Sequence, residues 1–425
     1  MKPIFLITCI CFLFACQEKQ ITDSEDYNTY LEYQDTSNKD LTTQHLAFWN
    51  TRIKQDSIQI IALGKSAQQY TALFETTGTI ESLKKAETAL QKAANNAHIG
   101  KDVYLRTLAK NLISQHKFKD ALHALAKAEK FLPNKRATQL MQFDVAMELG
   151  AYSKAQSYLK TLTDFSDFNY LIRLAKWKDY KGDLDATIHN MERAKIIAEY
   201  SNNEALQLWT YTNLADYYGH AGRIKDAYKH YLKSLTIDPS NAYAKKGIAW
   251  ITYSHEKNPT EALRILDAVQ KQHQSPDYFL LKAEIAEYQN DPTAKHEHIN
   301  AYFEAIQNPA YGAMYNTHTA EILLSEKEEY DTALKIAQKE VENRPTPQSY
   351  DLLAYVYQQK GDYKKALDIA ETYVANKTYE PVAQYHLAEI YKSNGLYDRV
   401  TAIKKELLDA SYELGPVTTH AIKNL

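Results

Sequence analysis

The chain has 425 residues, 44% of them apolar, with only 12 glycines and 11 prolines. So few turn formers exclude a hairpin-rich β protein, while the apolar share is enough for a continuous core. A formal net charge of -3 excludes the basic footprint that nucleic-acid binding requires.

Met1-Lys2-Pro3 supplies one positive charge, Ile4 to Phe14 forms an apolar run of eleven residues, and Leu13-Phe14-Ala15-Cys16 ends it. The run is too short to cross a bilayer, which takes about 20 residues, and has the length of a secretory h-region. Its ending resembles a bacterial lipobox, which implies a signal peptide over residues 1–15 and a lipid on Cys16. The other two cysteines, Cys9 and Cys11, lie inside that leader, so the mature chain would have no structural disulfide. Residues 16–40 then read as a flexible acidic tether, with Asp23, Glu25, Asp26, Glu32, Asp35 and Asp40 against Lys19 and Lys39. Few aliphatic residues are available there to offset the entropy of ordering.

Over residues 41–97 the pattern turns helical. A first helix is expected around His45 to Ile61, and a second carries Leu83, Ala86, Leu90 and Ala93 at three- and four-residue spacing. This segment reads as an N-terminal cap with a degenerate repeat.

From residue 98 to 413 the spacing becomes periodic. An alanine or its replacement falls at Ala121, Ala155, Thr187, Ala227, Ala262, Lys295, Ala333, Ala366 and Val400, in steps of 34, 32, 40, 35, 33, 38, 33 and 34 residues. The clearest unit runs Tyr211, Leu214, Ala215, Tyr218, Gly222, Ala227, Tyr231, Ser234 and Pro239. Others are Leu353, Ala354, Tyr357, Gly361, Tyr363, Ala366, Ala370; Leu387, Ala388, Tyr391, Gly395, Tyr397, Val400; and Leu108, Ala109, Leu112, Phe118, Ala121, Leu125, Ala128, Pro133. Gly150, Tyr152, Ala155 and Leu159 follow the last of these.

These residues resemble the tetratricopeptide repeat, which implies an all-α fold: an α-solenoid of about eight to ten stacked helix-turn-helix units forming a right-handed superhelix. Small residues let helices A and B of each hairpin approach closely, and Tyr or Leu fills the grooves between them. Gly222, Gly361 and Gly395 are expected to end A helices in the left-handed region. Pro133, Pro239 and Pro345 are expected to stop B helices, and Pro259 and Pro292 to begin them. The 40-residue step, with Glu199 to Gln207 inserted, predicts longer helices. Repeat positions also account for many of the 33 tyrosines, including Tyr152, Tyr211, Tyr218, Tyr231, Tyr357, Tyr363, Tyr391 and Tyr397. Residues 414–425 are read as a C-terminal tail.

Motifs of chemistry do not hold together. Leu63-Gly64-Lys65-Ser66 has Gln59 where a phosphate loop needs its first glycine, and in His296-Glu297-His298 the two histidines point to different helix faces. No catalytic residue, metal or cofactor is assigned. The family resemblance places the binding surface on the concave lining of the A helices: Arg106, Lys110, Asp144, Glu148, Lys176, Asp179, Asp216 and His220, then Tyr355, Gln358, Gln359, Tyr385, Glu389 and Lys392. The expected function is a membrane-anchored scaffold of the bacterial cell envelope holding another envelope protein or an extended peptide. The alternative is a lipoprotein that captures a glycan or peptide for an outer-membrane transporter.

Overall fold

A computed structural model describes residues 20–33, 36–54 and 58–425, with the side chains of 36–39 outside the description. The expected leader, its expected cleavage point and Cys16 lie outside the described residues. Two helices come first, α1 (Ser24–Glu32) and α2 (Thr36–Asn50). Ten hairpins follow: α3 (Ile60–Thr77) with α4 (Ile80–Asn96), α5 (Lys101–Ser114) with α6 (Phe118–Phe131), α7 (Arg136–Glu148) with α8 (Tyr152–Thr161), α9 (Phe168–Tyr180) with α10 (Leu184–Tyr200), and α11 (Glu204–His220) with α12 (Ile224–Ile237). The array continues with α13 (Ala242–Trp250) and α14 (Pro259–Gln270), α15 (Asp277–Tyr288) and α16 (Pro292–Ile306), α17 (Asn316–Ser325) and α18 (Tyr330–Asn343), α19 (Pro347–Gln359) and α20 (Tyr363–Tyr373), and α21 (Pro381–Ser393) and α22 (Tyr397–Asp409). A last helix, α23 (Ser411–Lys423), closes the chain. Among the described residues there is no strand.

The repeat positions behave as close-contact points. Ala121, Ala155, Thr187, Ala227, Ala262, Ala333 and Ala366 are fully buried. At the one charged replacement, Lys295 is held between Glu287 at 2.9 Å and Glu326 at 2.7 Å. Gly222 ends α11 with φ 70°, and the N–H of Arg223 reaches back to the carbonyl of Tyr218 at 2.8 Å. That closure satisfies the last carbonyls of the helix. The stretched step does correspond to long helices, since α10 and α11 each have 17 residues. Pro259 and Pro292 are the first residues of α14 and α16.

Successive A helices touch along the inner face, α5 with α7, α7 with α9, α11 with α13, α17 with α19 and α19 with α21. The B helices splay outward, and this wedge bends the stack into a superhelix. The bend is tight enough that consecutive turns meet. Gln274 N–H donates to the Thr77 carbonyl at 2.8 Å, Arg344 pairs with Glu148 at 3.3 Å, Gly150 abuts Pro345, and Gly182 abuts the ring of Tyr379. Each pair lies 195 to 197 residues apart. The A–B loops of the first turn therefore rest on the inter-repeat loops of the second.

Four expectations change. The stretch 16–40 is not a tether throughout: α1 buries Tyr27 and Leu31 between α12 and α14. Tyr27, Tyr30 and Leu31 make one apolar stripe at helical spacing, while Glu25, Asp26 and Glu32 stay outside it, so the acidic composition masked a docking helix. The helix expected over His45 to Ile61 is broken, with α2 ending at Asn50 and α3 starting at Ile60. The C-terminal tail is α23, kinked at Gly415 (φ 76°, ψ 169°) and Pro416, and it packs inside the superhelix against α11, α15 and α21. Tyr363 and Tyr397, counted as packing tyrosines, are exposed because each is the first residue of a B helix on an uncovered loop. Gly64-Lys65-Ser66 is part of helix α3, a conformation that cannot wrap a phosphate.

Candidate partner-binding face

All of the predicted concave residues lie on A helices, and several are bonded to the next repeat. Arg106 holds Asp102 at 2.7 Å and reaches Thr138 on α7. Asp144 on α7 pairs with Arg173 on α9 at 2.5 Å. Tyr355 on α19 stacks on His386 of α21, centroids 3.7 Å apart, and donates to Glu389. Gln358 donates to Ser393 at 2.5 Å. Tyr385 tilts against His386 from the other side, and Gln359 is half-buried. Lys392 donates to the Asn424 carbonyl, and Lys110 is exposed. The bonded side chains tie α5 to α7, α7 to α9 and α19 to α21.

Glu148, Lys176, Asp179 and His220 are brought together differently. They line a cleft of about 520 Å³ on the seam between turns, with Tyr152, Tyr180, Arg344, Tyr379, Glu380 and Glu413 completing it. Burial alone would raise the Glu148 carboxyl, but Lys176 at 2.8 Å and Arg344 hold it below the usual range. At Asp179 burial, with Glu380 beside it, outweighs the pull of His220 and Lys176 and pushes the carboxyl up to about 6. Glu413, brought in by α23, is likewise raised by burial and faces His220 at 3.7 Å. One side of the cleft is thus a paired Glu148–Lys176–Arg344 group, and the other is a surplus of carboxylates. An extended segment with a basic residue beside an acidic one would complement both.

Asp216 sits apart, in a recess of about 430 Å³ that also includes Tyr243, Lys246, Trp250, Glu284 and His318. Its two oxygens accept from Tyr231 and Tyr243, each at 2.5 Å. Burial pushes Glu284 up to about 7. The start of α23 borders this recess: Trp250 Nε1 donates to the Tyr412 carbonyl at 3.1 Å, as does Ser254 Oγ at 2.6 Å.

Arg344, Tyr379, Glu380 and Glu413 were missed because they belong to loops or to the last helix, not to an A-helix face. Their partners lie a full superhelical turn away. Only the pitch would have shown that residues some 196 positions apart meet.

The architecture defines the class, an α-solenoid of stacked helical hairpins with a polar inner face. The tetratricopeptide repeat profile matches residues 210–241 and 347–375, which fall on the hairpins α11–α12 and α19–α20, so the chain carries tetratricopeptide repeats there. Among solved structures, the chain is similar to a tetratricopeptide repeat protein from Parabacteroides merdae, with 14% identity over 58% of this chain and 92% of that one, TM-score 0.38. It is also similar to human IFIT1 in a dimer with PPP-AAAA, with 14% identity, 81% and 96% coverage and TM-score 0.45. Yeast Tom70 is similar at 13% identity, 86% and 95% coverage and TM-score 0.33. No curated protein sequence matches the chain.

Proposed function

We propose that this protein is a scaffold of the bacterial cell envelope, held to the outer membrane by a lipid on Cys16, whose superhelix grips a segment of another envelope protein. No catalysis is assigned to it. The observation that carries the reading is the seam cleft, where Asp179, Glu380 and Glu413 outnumber the cations left unspent by Glu148. Carboxylates crowded in one cleft, Asp179 and Glu413 half-buried and Glu380 exposed at its rim, repel one another until a partner supplies a cation. Affinity purification from detergent-solubilised membranes is expected to retain a stoichiometric protein partner, and Asp179→Lys is expected to lose it. Recovery of the wild-type chain without any partner would overturn this reading.

A second reading, capture of a glycan or peptide for an outer-membrane transporter, is favoured by the Trp250 and Tyr243 recess. Aromatic faces beside fixed hydrogen-bonding groups suit a small polar ligand. Saturable binding weakened by Trp250→Ala, with no protein partner retained, would select it.

A further inference from the structure

The first described residues are clamped to the middle of the solenoid. The N–H groups of Ile21 and Thr22 both donate to Glu256 Oε1 at 2.7 Å, and the Thr22 hydroxyl donates to Oε2 at 2.9 Å. Tyr228 bonds the backbone of Asp23 and the carboxylate of Asp26. Tyr27 is buried and donates to Glu261 at 2.6 Å. Further along, Arg264 reaches Asn28 and Gln272 reaches the Tyr33 carbonyl. Helix α1 therefore runs beside α14 in the same direction, and its start lies at the loop joining α13 to α14. Cys16 is four residues before Gln20, a span of at most about 14 Å however the chain runs.

That loop belongs to an open edge of the superhelix. The A–B loops at Gly78, Gly150 and Gly182 are covered by the second turn, whereas a side-chain carbon added at Gly222, Gly361 or Gly395 would meet nothing within 4 Å. The same edge presents Tyr363 and Tyr397, 46% and 64% exposed, each starting a B helix. Rings with a hydroxyl end suit the headgroup layer, where one end is apolar and the other wet. The opposite edge carries Ile99 and Tyr200, 92% and 87% exposed, so exposed apolar side chains do not distinguish the two edges; the docking of residues 20–28 beside the α13–α14 loop does.

We infer that the rim of A–B loops from α11–α12 onward faces a lipid surface, so that the superhelix stands rim-down on the bilayer and presents its other edge to the aqueous compartment. The inference rests on lipidation of Cys16 as proposed above, and it replaces a loose leash with a defined orientation. After removal of the leader Cys16 would be the sole cysteine, which permits single labels. In lipidated protein reconstituted into phosphatidylethanolamine–phosphatidylglycerol vesicles, fluorophores at Ala221→Cys, Thr260→Cys and Gln289→Cys are expected to be quenched several-fold more by nitroxide-headgroup lipid than those at Ile99→Cys and Tyr200→Cys. Inserting twenty Gly/Ser residues between Cys16 and Gln20 is expected to erase the difference while leaving the lipid in place. Equal quenching at both edges without the insertion would overturn the orientation while leaving the anchor intact. A mass spectrum showing Cys16 unmodified would overturn the anchor, and the orientation with it.

Discussion

The two turns of the superhelix use the same local signals with different results. Gly150 and Gly361 both end an A helix with positive φ, 68° and 82°, yet Gly150 lies against the Pro345 backbone and Gly361 faces open space. Phe118 and Tyr363 both begin B helices, yet Phe118 is buried under Arg344 of the second turn and Tyr363 is exposed. A repeat protein is stabilised mainly by its nearest neighbours; here a longer-range contact is added, at the A–B loops of the first turn and the inter-repeat loops of the second. The comparison teaches that a residue's role in such an array depends on which turn it occupies as well as on its place in the repeat.

The largest expected test of this difference is a glycine pair. At Gly361, alanine costs about 1 kcal/mol for its left-handed backbone alone. At Gly150 the added carbon would sit 2.6 Å from the Pro345 carbonyl oxygen, so Gly150→Ala is expected to cost about 3 kcal/mol, close to other overpacking substitutions. Urea unfolding followed by hydrogen exchange at the seam measures both, and equal costs would break the comparison.

An alanine pair serves as the control. Ala155 and Ala366 are both fully buried inside their own hairpins, so Leu at either, or at Ala227, should cost about 1–3 kcal/mol without regard to turn. A thermal midpoint unchanged by Ala227→Leu would show that the repeat register is misassigned.

Next come two arginines. Arg344 bridges the turns to Glu148 and lies over Phe118 in a half-buried position, so Arg344→Ala is expected to cost about 1–2 kcal/mol. Arg399 pairs with Glu371 on the exposed flank of the second turn, and its removal should leave stability nearly unchanged. Similar losses in chemical denaturation would mean that the seam adds nothing.

The smallest effect is on pH dependence. In the folded state Asp179 is raised from its ordinary 3.8 to about 6, chiefly by burial. It therefore contributes stability that is complete below about pH 4 and is lost as pH rises through 6. Asp179→Asn should flatten the pH–stability curve over that window and gain about 1 kcal/mol at pH 7.5, after allowance for screening of a half-buried group. Melting curves at pH 4.5 and 7.5 compare the two chains, and an unchanged slope would remove Asp179 from the buried seam.

Much of the architecture is written in short-range pattern. Ala227 against Gly222, or Pro259 at the start of α14, acts within one hairpin, where sequence spacing and spatial spacing are nearly the same thing. The candidate site was legible only in part for the same reason. Glu148, Lys176, Asp179 and His220 follow from counting along A helices, whereas Arg344 and Glu380 meet them only after a full superhelical turn. Tyr27 and Leu31 in α1, and Leu414 and Ile422 in α23, had too few apolar neighbours to announce a helix, since short helices gain their stability from the groove that receives them.

The sequence by itself determined the hairpins of the regular array and their close-contact residues, because i-to-i+4 bonding and 34-residue packing are local. Tertiary structure alone decided which loops are covered, which charges share the cleft, and where both ends of the chain dock. Those depend on the angle between successive hairpins, a small rotation that accumulates over some 196 residues and leaves no mark on any single repeat.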